Sequence, residues 1–333
     1  MKIACFSSKS YDKESFNIHL PNSSHEFTFF DAKLDSKTAA LAEGHEAICT
    51  FVNDYLTAKI LKKLHKTGIR NIVLRCAGFN QVDLKAANEL DMTICRVPAY
   101  SPEAVAEHAL ALLMTLSRKT HKAYNRVRDN NYSLEGLTGF NINGKTVGVI
   151  GTGAIGGAFC KIMIGIGSRV QAFDIHENQE LKDLGVQYLS LDELLSGCDI
   201  VSLHCPLTPK TFHLINSHTL KKMKEGVVLI NTSRGALIET KAVIDSLKKR
   251  KVGYLGIDVY EQEEDLFFKD LSEELLLDEQ IARLMTFPNV LITGHQAFLT
   301  YEALAQIAQV TLKNLDEIEA GSTLTNEIKW TKA

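Results

Sequence analysis

Arg234, Glu263 and His295 each follow a short apolar run of the kind that forms a buried strand. Arginine presents a planar fork of donors that suits a carboxylate in two-point contact. Imidazole is the side chain that titrates nearest neutrality, and a nearby carboxylate orients it and favours its charged form. We therefore predict a catalytic set in which Arg234 binds a substrate carboxylate while His295 and Glu263 transfer a proton.

A glycine-rich turn, Gly151-Thr152-Gly153-Ala154-Ile155-Gly156, lies between an apolar run and a helical pattern. Gly151 suits a tight turn out of a strand, Gly153 lets backbone N–H groups approach a pyrophosphate, and Gly156 allows close packing of helix on strand. Asp174 ends the next apolar run, where a carboxylate binds a ribose 2′-OH and repels a 2′-phosphate. This order of strand, turn, helix, strand and acid predicts an NAD site (NAD+/NADH), with NAD favoured over NADP.

The composition is that of an ordinary globular enzyme. The 333 residues carry a formal net charge of -3, with 45% hydrophobic and 23% charged residues. This balance produces no field that would recruit nucleic acid or an anionic membrane. No apolar stretch approaches the roughly 20 residues that cross a bilayer, and the seven cysteines form no CxxC pair. We expect a cytoplasmic protein with reduced thiols, no metal site, and neither nucleic acid nor membrane as a partner.

Short apolar runs alternate with helical patterns along the chain, which favours an α/β fold with parallel sheets. Four candidate strands precede the glycine turn, at 2–7, 47–52, 71–76 and 93–97. Six more, as many as a full dinucleotide-binding sheet contains, lie at 146–151, 169–174, 200–204, 227–231, 254–258 and 290–293. We predict two Rossmann-like or flavodoxin-like domains with an active-site cleft between them.

Two long helices suggest where these domains meet. Ser101-Pro102-Glu103 supplies an N-cap, a proline at the first helical position and an early acid, so a long helix begins there. A last helix, about 301–320, follows the sixth strand and has no place in that sheet. We therefore predict a discontinuous substrate-binding (catalytic) domain of residues 1–100 and 299–333, and an NAD-binding domain of residues 101–298.

Other residues near the predicted strand ends and helices are interpreted as structural or as lining the cofactor site rather than as catalytic. His204, Cys205 and Pro206 follow the fourth strand of the second sheet and are interpreted as wall residues beside the cofactor. The wall interpretation rests on Pro206 and Pro209, which break the chain there, and a catalytic role for His204 and Cys205 is not favoured. His108 lies inside an apolar helix face and is interpreted as a buried hydrogen-bonding residue rather than a base.

Several segments together resemble the signature segments of the D-isomer-specific 2-hydroxyacid dehydrogenases. These are residues 151–156, 204–208, 231–235, 258–263 and 294–298. Within that family, further segments are most similar to the bacterial fermentative members that act on pyruvate, and the resemblance covers nearly the whole chain. They are residues 74–80, 97–108, 265–268 and 294–300.

The resemblance implies an NAD-dependent oxidoreductase that reduces pyruvate to D-lactate reversibly with NADH, and the D stereochemistry rests on it alone. It implies Arg234 as carboxylate binder, His295 as proton donor and Glu263 as its partner. It also implies a cleft that closes on binding and a homo-oligomer, dimer or tetramer, assembled through the nucleotide-binding domains. Substrate-binding residues are then Ala77 and Gly78 through their main-chain N–H groups, Tyr100, Arg234 and His295. Cofactor-binding residues are Gly151, Gly153, Ala154, Ile155, Gly156, Asp174, His204, Cys205, Pro206, Thr232, Ser233, Arg234 and Asp258, with Thr232 and Asp258 beside the nicotinamide.

Two alternatives stay open. One is a larger substrate, as in the D-2-hydroxyisocaproate and phenyllactate dehydrogenases. The other is a non-catalytic NAD-sensing protein of the same fold, against which the presence of Arg234, Glu263 and His295 argues. L-lactate and malate dehydrogenases are disfavoured, because their glycine turn opens the chain. A 3-phosphoglycerate dehydrogenase is disfavoured because no regulatory domain follows before Ala333.

Overall fold

A computed structural model describes residues 1–330 of the chain. The described residues form two compact units. The first comprises Met1–Ser101 and the described residues from Phe298 onward, and the second comprises Pro102–Ala297. The chain therefore leaves the first unit and re-enters it near its end. Residues 331–333, which belong to the predicted substrate-binding domain, lie outside the described residues.

The first unit contains a parallel sheet of five strands in the order β2-β1-β3-β4-β5. Its strands are β1 Lys2–Cys5, β2 Glu26–Phe29, β3 Ala47–Thr50, β4 Asn71–Leu74 and β5 Thr93–Arg96. This is the flavodoxin-like strand order. The sequence predicts four of these strands and misses β2. That edge strand alternates exposed and half-buried residues, and so lacks the continuous apolar run of a buried strand.

The second unit contains a parallel sheet of seven strands in the order β12-β11-β10-β9-β6-β7-β8. Its strands are β6 Thr146–Ile150, β7 Arg169–Phe173, β8 Gln187–Tyr188, β9 Ile200–Leu203, β10 Val227–Asn231, β11 Val252–Ile257 and β12 Val290–Ile292. Counted from β6, this is the Rossmann order with one strand added beyond the sixth. All six predicted strands are present. The sequence misses β8, because two residues are too few to show a pattern.

Twelve α-helices are present in the described part of the chain. They are α1 Ser10–His19, α2 Ala58–Lys66, α3 Leu84–Glu89, α4 Pro102–Arg118, α5 Thr120–Arg128, α6 Ala154–Gly165, α7 Gln179–Asp183, α8 Leu191–Gly197, α9 Ser217–Lys222, α10 Thr240–Lys248, α11 Glu279–Met285 and α12 Tyr301–Glu319. Helix α4 begins at Pro102, as predicted. Helix α12 belongs to the first unit, where Leu312 and Leu315 share a buried cluster with Ile3 and Phe16.

The second sheet is covered by apolar side chains on both faces. On one face, Leu112 of α4 and Phe159 of α6 share a buried cluster with Val149. On the other face, Val201 and Leu229 lie in a cluster with residues of α8 and α10. Burying each such large side chain fully contributes about 1.5–3 kcal/mol, so packing on both faces stabilises the sheet whose strand ends carry the site. All seven cysteines are buried, and no disulfide joins any of them within the described residues. Among residues 1–330, no helix has both the length and the apolar character needed to span a membrane.

Candidate active site

The glycine turn connects β6 to α6 in close contact with the segment after β9. Gly151 has φ +92°, and a Cβ atom there would lie 2.6 Å from the backbone nitrogen of Cys205. A Cβ atom at Gly156 would lie 1.9 Å from the carbonyl oxygen of Gly151. Both positions therefore require glycine. A Cβ atom at Gly153 would meet nothing within 4 Å. The start of α6, with Ala154 and Ile155 in its first turn, thus faces open space, as a phosphate-binding helix end must.

Asp174 directly follows β7 and is bonded to the glycine turn. Its Oδ2 accepts from the Thr152 N–H at 2.6 Å and from the Thr152 hydroxyl at 3.2 Å. Its Oδ1 accepts from the His176 N–H at 3.0 Å. Burial raises the pKa of Asp174, but the hydrogen bonds from His176 and Thr152 outweigh it and hold the pKa below its usual range. The carboxylate is therefore ionised, and its remaining lone pairs can accept from ribose hydroxyl groups.

His204 and Cys205 follow β9 and line this turn. The His204 ring lies 4.9 Å from the Phe159 ring between centroids, and its Nε2 is 2.8 Å from the Ser202 hydroxyl. Burial lowers the pKa of His204 to about 3, and burial raises the pKa of Cys205 to about 11. Near neutral pH both side chains are uncharged, so neither is suited to proton transfer or nucleophilic attack. Pro206 continues the same segment.

The segment after β10 presents Arg234. Asn231 shapes it, because its Nδ2 donates to the Arg234 carbonyl at 2.9 Å and its Oδ1 accepts from the Ser233 N–H at 3.0 Å. The Ser233 hydroxyl donates to the Leu203 carbonyl at 2.9 Å, which links β10 to β9. Arg234 is half-buried, and its Nη1 donates to the Ser233 carbonyl at 2.7 Å. A guanidinium has five N–H donors, so a fork remains for a carboxylate.

Thr232, just after β10, tests whether the residues present fit the nicotinamide end of a bound dinucleotide. Its Oγ1 is buried and has no hydrogen-bond partner within the described residues. A buried polar atom without a partner is costly, and such an atom at a ligand site is satisfied when the ligand binds. Together with the open space at Gly153 and the ionised Asp174, this makes the residues present fit a dinucleotide. Residues 1–330 contain no cluster of three or more His, Cys, Asp or Glu side chains that could hold a metal ion.

His295 and Glu263 form a pair. Nδ1 of His295 lies 2.8 Å from Oε1 of Glu263, and both side chains are largely buried. The Tyr260 N–H donates to the other Glu263 oxygen at 2.9 Å. The backbone of His295 has φ +55°, and its N–H donates to the Asp258 carbonyl at 2.7 Å. The structure therefore brings together the imidazole and the carboxylate that the sequence proposes as an acid/base pair.

Asp258 has a role that the sequence does not reveal. Its buried carboxylate accepts from the Thr293 hydroxyl at 2.5 Å and from the N–H groups of Gln296 and Ala297 at 2.9 and 2.8 Å. His108 of α4 lies 3.3 Å from the same carboxylate. Burial raises the pKa of Asp258, but the hydrogen bonds from His108 and Thr293 outweigh it and hold the pKa below its usual range. Asp258 thus ties together the turn that carries His295.

His108 is a hydrogen-bonding residue, as the sequence predicts, and its side chain is largely buried. Its Nε2 lies 3.0 Å from the Thr293 hydroxyl, in addition to its contact with Asp258. The sequence signal for Asp258 is only its place at the end of a strand. Its partner His108 lies on a helix far away in the chain, so this contact needs the fold.

Ala77, Gly78 and Tyr100 belong to the first unit. The Ala77 carbonyl accepts from Arg96 Nη1 at 2.7 Å, and the Gly78 carbonyl accepts from Gln81 Nε2 at 3.3 Å. Both carbonyl groups are thereby oriented, which fixes the peptide planes of this loop. Tyr100 is half-buried, with its ring 6.4 Å from the Phe298 ring between centroids.

Arg75 anchors the strand end from which this loop starts. Its buried guanidinium lies 3.2 Å from Asp12 and donates to the carbonyl groups of Phe6 and Ser7 at 3.0 and 2.7 Å. The sequence does not single out this residue.

Comparison with known proteins agrees with these observations. A family model for the D-isomer specific 2-hydroxyacid dehydrogenase NAD binding domain matches residues 110–297. D-lactate dehydrogenase from Escherichia coli strain K12 is 53% identical over 328 residues, covering 98% of this chain and 100% of that protein. The apo structure of D-lactate dehydrogenase from Escherichia coli has a TM-score of 0.91 at 51% identity, covering 98% of this chain and 100% of that chain.

A D-lactate dehydrogenase from Aquifex aeolicus, solved in complex with NAD and lactic acid, has a TM-score of 0.87 at 31% identity. That match covers 99% of this chain and 100% of the other. The family model spans more than half of the chain, and the Escherichia coli relative spans nearly all of it. The chain therefore belongs to the D-isomer-specific 2-hydroxyacid dehydrogenases, a family of NAD-dependent oxidoreductases, and its cofactor is NAD.

Proposed function

We propose that this protein reduces pyruvate to D-lactate with NADH, and that the reaction is reversible. The observation that carries the proposal is the 2.8 Å contact between His295 Nδ1 and Glu263 Oε1. This pair follows strands of the same sheet that carries the glycine turn and Asp174. The choice of pyruvate is supported by the relatives that are D-lactate dehydrogenases.

His295 is the proton donor of the proposed reaction. Because an ionised carboxylate only accepts hydrogen bonds, Glu263 selects a proton on Nδ1 and leaves Nε2 for the reacting oxygen. During reduction, protonated His295 gives its Nε2 proton to the carbonyl oxygen of pyruvate. In the reverse direction, neutral Nε2 accepts the hydroxyl proton of D-lactate. NADH, when bound, supplies the hydride that C2 of pyruvate receives.

Arg234 binds the substrate in this proposal. Its free donors form two parallel charge-assisted hydrogen bonds to the carboxylate and stabilise charge that develops on the carbonyl oxygen. In the first unit, the main-chain N–H groups of Ala77 and Gly78 contribute to carboxylate binding and Tyr100 borders the substrate. The cofactor is held at the start of α6 and by Asp174, with Thr232, Ser233 and Asp258 at its nicotinamide end and His204 to Pro206 as its wall.

We propose further that the protein is a homo-oligomer, dimer or tetramer, assembled through its second unit. Support comes from α5 and the segment that follows it. There the apolar side chains of Tyr124, Tyr132 and Leu134 are 62%, 70% and 80% exposed. Large apolar side chains exposed close together in the chain are a feature expected of an interface. The cytoplasm is the proposed location, where NADH is available and thiols stay reduced. Sedimentation equilibrium of the purified protein checks the oligomer.

The assay that tests the function is the loss of NADH absorbance with a series of 2-oxo acids: pyruvate, 2-oxobutyrate, 2-oxoisocaproate, phenylpyruvate and oxaloacetate. We expect pyruvate to give the highest kcat/KM, and chiral chromatography to identify the product as D-lactate. A higher kcat/KM for 2-oxoisocaproate or phenylpyruvate would instead support the larger-substrate alternative. Tight NADH binding without turnover of any of the five acids would support the sensing protein.

A further inference from the structure

A second histidine–glutamate pair lies next to the catalytic one. His213 Nε2 is 2.6 Å from Glu261 Oε1, and both side chains are largely buried. The other Glu261 oxygen accepts the N–H and the hydroxyl of Thr240 at 3.1 and 2.8 Å. Burial raises the pKa of Glu261, but the hydrogen bonds from Thr240 and His213 outweigh it and hold the pKa below its usual range. Because the ionised carboxylate only accepts, His213 is the donor.

This cluster joins the two segments that carry the proposed chemistry. Thr240 ends the segment that begins at Arg234, and Glu261 precedes Glu263 by two residues. The two segments also meet directly, since a Cβ atom at Gly235 would lie 2.0 Å from the carbonyl carbon of Tyr260. The bonds between Thr240 and Glu261 therefore fasten one segment to the other beside this backbone contact.

His213 bonds to both segments at once. Its N–H donates to the carbonyl of Ala236 at 2.9 Å, and its ring bonds to Glu261. Its backbone has φ +49°, its carbonyl accepts from Asn216 Nδ2 at 2.9 Å, and its ring stacks on Phe212 at 3.9 Å between centroids. A non-glycine residue adopts this backbone conformation only where its surroundings over-determine it. The position of the ring is thus set by the fold.

We propose that His213, acting with Glu261 and Thr240, is a positioning residue that holds the Arg234 segment and the Glu263 segment in register. The inference rests on the proposed function, in which Arg234 binds the carboxylate while the Glu263–His295 pair protonates the carbonyl of the same small molecule. These two groups must be placed to within about 1 Å, since a misplacement of that size costs up to about 100-fold in rate.

The first test replaces His213 with Asn, which tolerates positive φ but is too short to reach Glu261. We expect kcat for pyruvate to fall about 10- to 100-fold and KM for pyruvate to rise several-fold, with the dissociation constant of NADH within twofold of wild type. His218→Asn is the matched control, because His218 is exposed in the next turn of the chain and is expected to leave all three constants unchanged.

The second test uses Thr240, where two substitutions of similar size separate bonding from packing. Thr240→Val removes the hydroxyl that bonds Glu261, and Thr240→Ser retains it. We expect the valine variant to reproduce part of the loss in kcat and the serine variant to restore wild-type kinetics. A role in stability alone predicts a lower melting temperature for both His213→Asn and Thr240→Val, with wild-type kcat and KM well below that temperature, and this result would overturn the proposal.

Hydrogen–deuterium exchange provides a readout that does not depend on activity. Peptides covering 234–240 and 259–263 should exchange faster in His213→Asn than in the wild type, and His218→Asn should not differ from wild type. Unchanged exchange would overturn the proposal that His213 fastens these segments. Lack of wild-type activity with all five 2-oxo acids would overturn the proposed function. In that case the exchange rates still decide whether His213 fastens the two segments.

Discussion

At the scale of single residues, the orientation of His295 is set from three directions. Its N–H is bonded to the Asp258 carbonyl at 2.7 Å, its Nδ1 to Glu263 at 2.8 Å, and its ring lies 5.7 Å from the Phe268 ring between centroids. A left-handed backbone at a non-glycine residue costs of order 1–3 kcal/mol. The surrounding bonds must offset that cost, so the imidazole is presented in one orientation before substrate arrives.

Replacing His295 with Gln tests this imidazole. We expect turnover of pyruvate to fall by roughly 10²–10⁴-fold, because general acid/base catalysis contributes about that much. The dissociation constant of NADH, measured by fluorescence, should stay near the wild-type value. Turnover close to wild type would remove His295 from the mechanism.

Glu263→Gln should lower the turnover of pyruvate less than His295→Gln does. It should also change how kcat/KM for pyruvate depends on pH. The charged imidazole loses the carboxylate that stabilises it, so pyruvate reduction should fail at a lower pH than in the wild type. The comparison is a plot of kcat/KM for pyruvate against pH for both proteins. Superimposable profiles would mean that the observed contact has no bearing on the proton step.

Arg234→Lys tests the two-point binding of the carboxylate. Lysine is a point charge on a flexible stem, so KM for pyruvate should rise and kcat should fall, with little change in NADH affinity. If Arg234 only stabilised the fold, Arg234→Lys would instead change the melting temperature and leave the kinetics with pyruvate unchanged. Measuring pyruvate kinetics, NADH affinity and melting temperature on this one variant separates the two roles.

Asp174 should determine the choice between NADH and NADPH. Its ionised carboxylate would lie within hydrogen-bonding range of a 2′-phosphate, so we expect a higher kcat/KM with NADH. Asp174→Ala should bring the kcat/KM values with NADH and with NADPH closer together, chiefly because the variant binds NADH more weakly. Equal efficiency of the wild type with both cofactors would contradict this assignment.

At the scale of elements, the sequence predicts which residues lie at the ends of strands. It does not predict contacts between segments that are far apart in the chain. The runs before Asn231, Asp258 and Thr293 are apolar enough to be recognised as strands, so the residues that follow them are recognised too. The roles of His108 and His213 depend on contacts with distant segments. No local pattern contains such contacts, since each is created when separate elements pack on the same sheet.

The segment that follows β9 carries His204, and this buried histidine makes the free energy of unfolding depend on pH. Burial holds the pKa of His204 at about 3, against an ordinary value near 6.5, so the unfolded chain binds a proton that the folded chain excludes. The stabilisation is complete above pH 6.5 and is lost as the pH falls toward 3, by roughly 1.4 kcal/mol per pH unit. His204→Asn should therefore lose less unfolding free energy than wild type between pH 7 and 5 in denaturant titrations. His218→Asn is the exposed control, and equal losses in all three proteins would show that His204 does not titrate in this way.

At the scale of the whole molecule, the two units differ in how the chain builds them. Pro102–Ala297 is one continuous stretch, whereas the first unit needs both Met1–Ser101 and α12. Leu312 and Leu315 of α12 fill a buried cluster with Ile3 and Phe16. Without α12, this cluster would expose apolar surface to water.

A chain that stops after Ala297 should therefore retain a folded second unit and an incomplete first one. We expect such a chain to bind NADH in a fluorescence titration and to show no turnover of pyruvate. Limited proteolysis should cleave residues 1–101 and spare 102–297. Wild-type turnover by the shortened chain would show that α12 is dispensable for the first unit.

The late position of α12 also orders events during synthesis on the ribosome. The nucleotide-binding unit is complete in sequence while the last helix is still being made, so it can fold first. The opening hundred residues, although made earliest, must wait with their apolar sheet face uncovered until that helix emerges. Interrupted translation would then release chains in which the nucleotide-binding unit is complete and the first unit lacks the helix that covers its apolar cluster.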